Sequence, residues 1–209
     1  MLNTSLLRFL SVNQIIATFQ MIPPSDYVLF DADEALVCEV PNPFMPFTIA
    51  FTAIRKNSKL YLGTVDGYLC RYQENYGTEE MPLNLEAMAE MYDNSHVYDF
   101  TIAVLDEAEK LPKKWSTQKE WCKDGGYFVL MEDIDIIENL DASIDAHIFK
   151  YLHEIIQNDS CIRIDSIFIP LKIIKPETKK IIRRSGFTAL GGKEDGIYYA
   201  RHAFYTQKK

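Results

Sequence analysis

The chain has 209 residues, of which 47% are hydrophobic and 25% charged, a composition typical of a globular protein with one domain over residues 1–209. No window holds the roughly 18 apolar residues of a membrane span, and the N-terminal segment lacks the cleavage site of a signal peptide. The net charge of −8 is concentrated in residues 74–149, where 18 acidic groups face 5 basic ones and would repel free nucleic acid.

The first third of the chain predicts one helix followed by strands. Apolar residues recur at helical spacing from Leu6 to Phe19 and predict an amphipathic first helix. Residues 27–30 and 35–40 are short strand-like runs. Further on, polar and apolar residues alternate, and Asp66-Gly67 is typical of a tight hairpin turn. Residues 1–75 are therefore predicted to form an N-terminal helix plus an antiparallel meander.

The rest of the chain alternates between helical and strand-like patterns. The predicted elements are a helix at 83–91, strands at 97–105 and 127–131, a helix at 142–157, a strand at 162–171, a helix at 176–184, and strands at 187–190 and 197–204. This mixture predicts an α/β (α+β) fold, with a single mixed, mostly antiparallel sheet flanked by helices.

The last quarter of the chain has the most informative order of elements. From Ile162 onwards, a strand leads to a short basic helix that ends in Gly186-Phe187, and a pair of strands follows. Glycine suits a helix end because it adopts the left-handed conformation without steric cost. This order resembles the end of the GCN5-related N-acetyltransferase (GNAT) superfamily. The resemblance covers residues 127–205 and implies acetyl-CoA as the cofactor and a splayed pair of central strands.

The resemblance also implies catalytic roles. The strand that begins at Tyr127 corresponds to the central strand of the family, and Glu132 or Asp133 near its end would be the general base that removes a proton from an amine. Tyr199 would be the acid, and Tyr198 and Tyr205 are alternatives to it. The other interpretation is that the two carboxylates lie at a solvated strand end and that the tyrosines serve packing.

The cofactor contacts implied by the resemblance are Ile134, Ser143 and Lys175. In the family, a loop rich in glycine and arginine binds the cofactor pyrophosphate at a helix N-terminus. The corresponding residues 138–146 contain three acidic residues and no glycine. Lys175 stands in place of the family's asparagine, and Ile182 in place of its tyrosine. A divergent acyltransferase and a binding or structural protein of the same fold therefore remain as alternatives.

A second pattern predicts a different chemistry. Residues 27–30 form an apolar strand followed by Asp31 and Asp33, as in the first motif of haloacid-dehalogenase-type phosphotransferases. There the first aspartate attacks phosphorus, the second acts as acid and base, and magnesium offsets the charge. This similarity implies a magnesium-dependent phosphohydrolase. A strand end that turns into solvent explains the same aspartates.

The cellular environment and the partners are suggested by cysteine spacing and charge. Four cysteines stand at positions 38, 70, 122 and 161 with no Cys-x-x-Cys pair, which favours a reduced, cytoplasmic compartment and argues against a structural metal. Residues 150–209 carry 12 basic and 6 acidic groups, opposite in sign to the preceding segment. Such asymmetry favours a protein partner that binds through the charged faces, although a solvated surface explains it as well.

Overall fold

The structure is a computed structural model. It describes residues 15–22, 26–30, 36–55, 58–79, 81–92, 94–99, 101, 125–136, 142–176, 179–190 and 197–201. No helix in these ranges is long and apolar enough to cross a membrane.

Nine strands and three helices make up most of the described chain. The strands are β1 (Ile15–Met21), β2 (Tyr27–Phe30), β3 (Leu36–Val40), β4 (Phe44–Arg55), β5 (Ser58–Arg71), β6 (Tyr127–Ile136), β7 (Ser166–Pro170), β8 (Thr188–Leu190) and β9 (Ile197–Arg201). The helices are α1 (Leu85–Met91), α2 (Ala142–Ser160) and α3 (Lys179–Arg184), with a 3₁₀ turn at Leu171–Ile173. Residues 95–99 are also helical.

Seven of these strands form one mixed sheet in the order β1-β4-β5-β6-β7-β9-β8. Only β6 and β7 pair in parallel, and α2 connects them, as a parallel pair requires. The other neighbours in the sheet are antiparallel. The predicted class of mixed sheet flanked by helices is therefore confirmed. Strands β2 and β3 form a separate antiparallel pair.

One face of the sheet packs against α2 and α3. Helix α2 buries Ile148, Phe149, Leu152 and Ile156, which recur on one side of the helix and contact the sheet. Alternate residues of the strands face them, including Phe47 and Ile49 of β4. We call this layer the helical core.

The opposite face is covered at one end by α1 and by residues 95–99. Most side chains buried there come from these two elements and from alternate positions of β4 to β7, and Val40 of β3 and Tyr76 complete the layer. The strands supply Phe44, Tyr68, Cys70, Phe128, Leu130 and Phe168, and the cover supplies Leu85, Met88, Ala89 and Val97. Asn84 caps α1 by accepting a hydrogen bond from the Ala87 amide at 2.9 Å. We call this layer the aromatic core.

The end of α3 agrees with the expectation from Gly186. Gly186 has a φ of +98°, the left-handed conformation that glycine adopts without penalty. The Phe187 amide bonds back to the Ile182 carbonyl at 3.3 Å, and the Phe187 ring is buried in the helical core.

Two predictions for the N-terminal part are wrong. Ile15–Met21 is an edge strand rather than the end of a helix, because its alternate residues pack on β4 and the helical core, with the Phe19 ring stacked on Phe47 at 5.5 Å. Residues 1–14 lie outside the described residues. The hairpin predicted at Asp66-Gly67 does not form, because β5 continues straight through it. The residues on either side of the predicted turn therefore belong to one long strand.

Two further boundaries differ. Residues 97–99, predicted to begin the strand 97–105, belong to the helical segment 95–99. Asn94 caps this segment by accepting hydrogen bonds from the amides of His96 at 3.0 Å and Val97 at 3.2 Å. The strand predicted from Ile162 begins only at Ser166. The predicted loop at 106–124 lies outside the described residues.

A β-bulge interrupts the pairing of β5 with β6. Asp66 pairs with Asp133, whereas Gly67 pairs with Met131, so Glu132 is one extra residue in β6. The bulge reverses the alternation of β6, and both Met131 and Ile134 contact the helical core although they are three residues apart. The two strands approach closely at Gly67, where only a glycine fits. A Cβ atom added there would lie 2.4 Å from the Leu130 carbonyl oxygen.

We expect Gly67→Ala to lower the free energy of unfolding by about 3 kcal/mol, because the added methyl group would collide with the backbone of β6. Gly125→Ala is the matched control. No heavy atom lies within 4 Å of its added methyl group, and its left-handed φ of +76° leaves a cost of about 1–2 kcal/mol. Urea unfolding of both variants measures the difference, and an equal or smaller loss in Gly67→Ala would contradict this account.

Candidate functional site

The parallel pairing of β6 with β7 stops before either strand ends, and we call this end of the pair the fork. Within these two fully described strands, pairing covers only three positions, from Phe128 opposite Ser166 to Leu130 opposite Phe168. Beyond them β6 continues to Ile136 and β7 to Pro170 without pairing with each other. Since parallel strands run in one direction, the fork lies at their carboxyl ends, where ligands commonly bind in such sheets.

Glu132 lies just past the last paired residue of the fork. As the extra residue of the bulge, it has no partner on β5 in the register of the sheet. Its side chain is half-buried and lines a pocket on the face that also carries the aromatic core. The bulge thus directs a carboxylate away from the regular pleat, a common use of bulges near functional sites.

The pocket has a volume of about 240 Å³ and is open to solvent on one side. Its walls come from β1, β4, β5 and β6 and are formed by Gln20, Ile22, Pro46, Phe47, Thr48, Asp66, Gly67 and Glu132. The Thr48 hydroxyl donates a hydrogen bond to Asp66, its direct neighbour across the strands. The pocket therefore combines two carboxylates with a largely apolar wall.

Behind Glu132, the boundary with the aromatic core is polar. The Tyr68 hydroxyl hydrogen-bonds to Glu132 and accepts a hydrogen bond of 2.7 Å from Asn94 Nδ2. The ring of Tyr92 meets that of Tyr68 edge-on at 5.7 Å. Burial raises the pKa of Tyr68 above its ordinary value of 10.0, and the negative charge of Glu132 raises it further. Tyr68 therefore remains a hydrogen-bond donor at neutral pH.

The structure separates the two carboxylates proposed as the general base. Asp133 is exposed, does not line the pocket, and accepts a hydrogen bond of 2.8 Å from the Ile134 amide next to it. Ile134, predicted as a cofactor contact, packs against the helical core. Of the three neighbours, Glu132 is therefore the one that lines the pocket.

The remaining predicted site residues lie around the fork. Ser143 is in the first turn of α2, and Lys175 is half-buried just after the 3₁₀ turn that follows β7. Tyr199 pairs with Phe168 in the sheet and is thus level with the last paired position of the fork. Ile182, at the position of the family's tyrosine, is 0% exposed and belongs to the helical core.

The second predicted constellation lies elsewhere. Asp31 and Asp33 are outside the described residues. The preceding strand β2 pairs with β3 in the separate antiparallel pair, which differs from the parallel sheet that the phosphotransferase similarity implies. In the described part of the chain, no group of three or more His, Cys, Asp or Glu side chains is arranged to hold a metal ion.

Several residues around the pocket were not predicted from the sequence. Thr48 and Asp66 are brought together by the register of β4 and β5. Asn94 and Tyr68 are 26 residues apart and meet only because residues 95–99 cover the sheet. An asparagine before an apolar run is a recognisable helix-cap signal, and it was the one clue available for Asn94.

Comparison of the chain with protein-family models, curated proteins and solved structures finds no match.

Stability should fall steeply as the pH rises above 10. Tyr68 keeps its proton in the folded state but loses it in the unfolded chain, so its contribution is complete below pH 10 and is lost above it. Each tyrosine of this kind makes the free energy of unfolding fall by about a further 1.36 kcal/mol per pH unit. Urea unfolding between pH 9 and 11 should therefore show a shallower fall for Tyr68→Phe than for the parent.

The matched control is Tyr61→Phe, which removes a hydroxyl from a 56% exposed ring on the same strand. If Tyr68→Phe leaves the pH dependence unchanged, or if both variants change it equally, the assignment to Tyr68 is wrong.

Proposed function

We propose that the protein is a divergent acyl-CoA-dependent N-acyltransferase in which Glu132 is the general base. The observation that carries this proposal is the position of Glu132, which lines a pocket beside the fork of β6 and β7. The order of elements supports it as well. A strand, a helix, a parallel strand, a short helix ending in Gly186-Phe187 and a final antiparallel pair follow one another, as the GNAT resemblance implies.

The pocket suits a cationic amine acceptor. Glu132 and Asp66 supply negative charge, and Pro46, Phe47 and Ile22 supply apolar contact. An ammonium group beside Glu132 would lose a proton to the carboxylate, and the resulting amine would attack the thioester carbonyl carbon. The carbon–sulfur bond then breaks, the thiolate takes a proton from an acid, the role proposed for Tyr199, and the surplus proton on the new amide nitrogen passes to that acid and restores it.

The acyl-CoA would occupy the open end of the fork. β6 ends at Ile136 and α2 begins at Ala142, so the N-terminus of this 19-residue helix is at the carboxyl end of β6. A helix N-terminus attracts phosphate groups through its unpaired amides. The acidic residues of 138–146 oppose this attraction, so we propose weak cofactor affinity. Lys175, Ser143 and Ile134 are the proposed contacts.

The alternative proposal is a binding or structural protein of the same fold without catalysis. The complete burial of Ile182 favours it, because this position carries no acid. A magnesium-dependent phosphohydrolase using Asp31 and Asp33 is the third proposal, and magnesium-dependent phosphatase activity lost in Asp31→Asn would support it.

We expect acetyl-CoA to stabilise the protein. A ligand at ten times its dissociation constant adds about 1.4 kcal/mol to the free energy of unfolding. Thermal unfolding with acetyl-CoA from micromolar to millimolar concentration measures this effect, with adenosine monophosphate as the control for general nucleotide binding. No stabilisation at millimolar acetyl-CoA would favour the non-catalytic alternative.

Glu132→Gln should lower the rate of acetyl transfer to an amine by a factor of about 100 or more, because the amide cannot accept the proton. Asp133→Asn, one residue along the strand, should stay within about threefold of the parent, since its carboxylate does not line the pocket. Turnover is followed by thiol release across a panel of small amines. A larger loss in Asp133→Asn would assign the base to Asp133 instead.

A further inference from the structure

A line of hydrogen bonds runs from the helical turn 95–99 to the carboxylate of Glu132. It begins at Asn94, whose Oδ1 accepts from the amides of His96 at 3.0 Å and Val97 at 3.2 Å. These bonds fix the orientation of the amide, because only oxygen can accept them. The Nδ2 end must therefore point away from the turn, as a donor.

The next member is Tyr68, whose hydroxyl oxygen accepts from Asn94 Nδ2 at 2.7 Å. This hydroxyl also bonds to Glu132. A hydroxyl has one proton and two lone pairs, and a carboxylate can only accept. The proton of Tyr68 therefore goes to Glu132.

This arrangement leaves Tyr68 little freedom. The side chain is only 5% exposed and its ring packs against Tyr92 in the aromatic core. Glu132 has a flexible side chain on a bulge, so the Tyr68 hydroxyl holds one carboxylate oxygen from the buried side. Glu132 also lines the pocket, on the side away from Tyr68's buried ring.

We propose that Tyr68, oriented by Asn94, is a positioning residue for Glu132, so that the helical turn at 95–99 sets the geometry of the general base. This inference rests on the proposed function. A misplacement of about 1 Å at a reacting group costs about a hundredfold in rate. The loss of either residue should therefore lower kcat, even though neither touches the substrate.

Two variants remove single bonds of the line. Tyr68→Phe keeps the ring and removes the hydroxyl. Asn94→Asp keeps the helix cap, since aspartate caps as well as asparagine, but removes the Nδ2 donor. Both should lower kcat by about tenfold to a hundredfold. The control is Asn84→Asp, the same change at the cap of α1, outside the line of hydrogen bonds, and it should keep the parent kcat.

A double variant separates positioning from a general loss of structure. If Tyr68 acts through Glu132, Tyr68→Phe should have no further effect on the residual rate of Glu132→Gln. A role in stability alone would lower the rate in both backgrounds by the same factor. Equal losses in the two backgrounds, or a parent-like kcat in Tyr68→Phe, would overturn the proposal.

A measurement without turnover distinguishes this proposal from the proposed function. Proton NMR in water should show a slowly exchanging Tyr68 hydroxyl signal that is absent in Tyr68→Phe and shifts in Glu132→Gln and Asn94→Asp, but not in Asn84→Asp. No shift in Glu132→Gln would overturn the line of hydrogen bonds whatever the activity. The expected shifts together with no turnover by the parent would overturn the catalytic role and the proposed function, while the hydrogen bonds would stand.

Discussion

The single extra residue in β6 is the constraint on which the site depends. Because side chains alternate along a strand, one inserted residue moves every later side chain to the other face. Upstream of Glu132, the odd-numbered residues Val129 and Met131 face the helical core, and downstream the even-numbered Ile134 and Ile136 do so. Gly67 permits this arrangement, since a side chain there would collide with the Leu130 backbone. The bulge thus keeps the helical core continuous and places Glu132 outside the regular pattern.

The bulge also coincides with two boundaries. Along the sheet, the bulge lies just past the last residue of β6 that pairs with β7, so the carboxylate of Glu132 lies at the fork. Across the face, it lies between the aromatic core, covered by α1 and residues 95–99, and the pocket. Tyr68 bonds Glu132 from the covered side, and Glu132 lines the pocket on the other. In the function we propose, a carboxylate held in this way would already be oriented before a substrate arrives, which is what an efficient general base requires.

The sequence predicted the second half of the fold better than the first, for physical reasons. The buried stripe of α2 and the left-handed Gly186 are local signals, and both are found in the structure. Ile15–Phe19 fits helical spacing as well as alternation, and pairing with β4 decides between them. Asp66-Gly67 is a turn signal in isolation, but here the glycine serves the close approach of β6, which is 60 residues away in sequence. Glu132 was predicted as a candidate base, whereas its pocket and the Tyr68–Asn94 support depend on long-range register.

The central claim is that the open end of the fork beside Glu132 is the ligand site. Backbone amide NMR during a titration with acetyl-CoA tests it most directly, because it locates binding without requiring turnover. The account predicts that the largest shifts fall on Met131–Ile134 of β6 and Phe168–Pro170 of β7, with smaller ones in the first turn of α2. Shifts confined to other strands or to α1, or no shifts at millimolar acetyl-CoA, would contradict it.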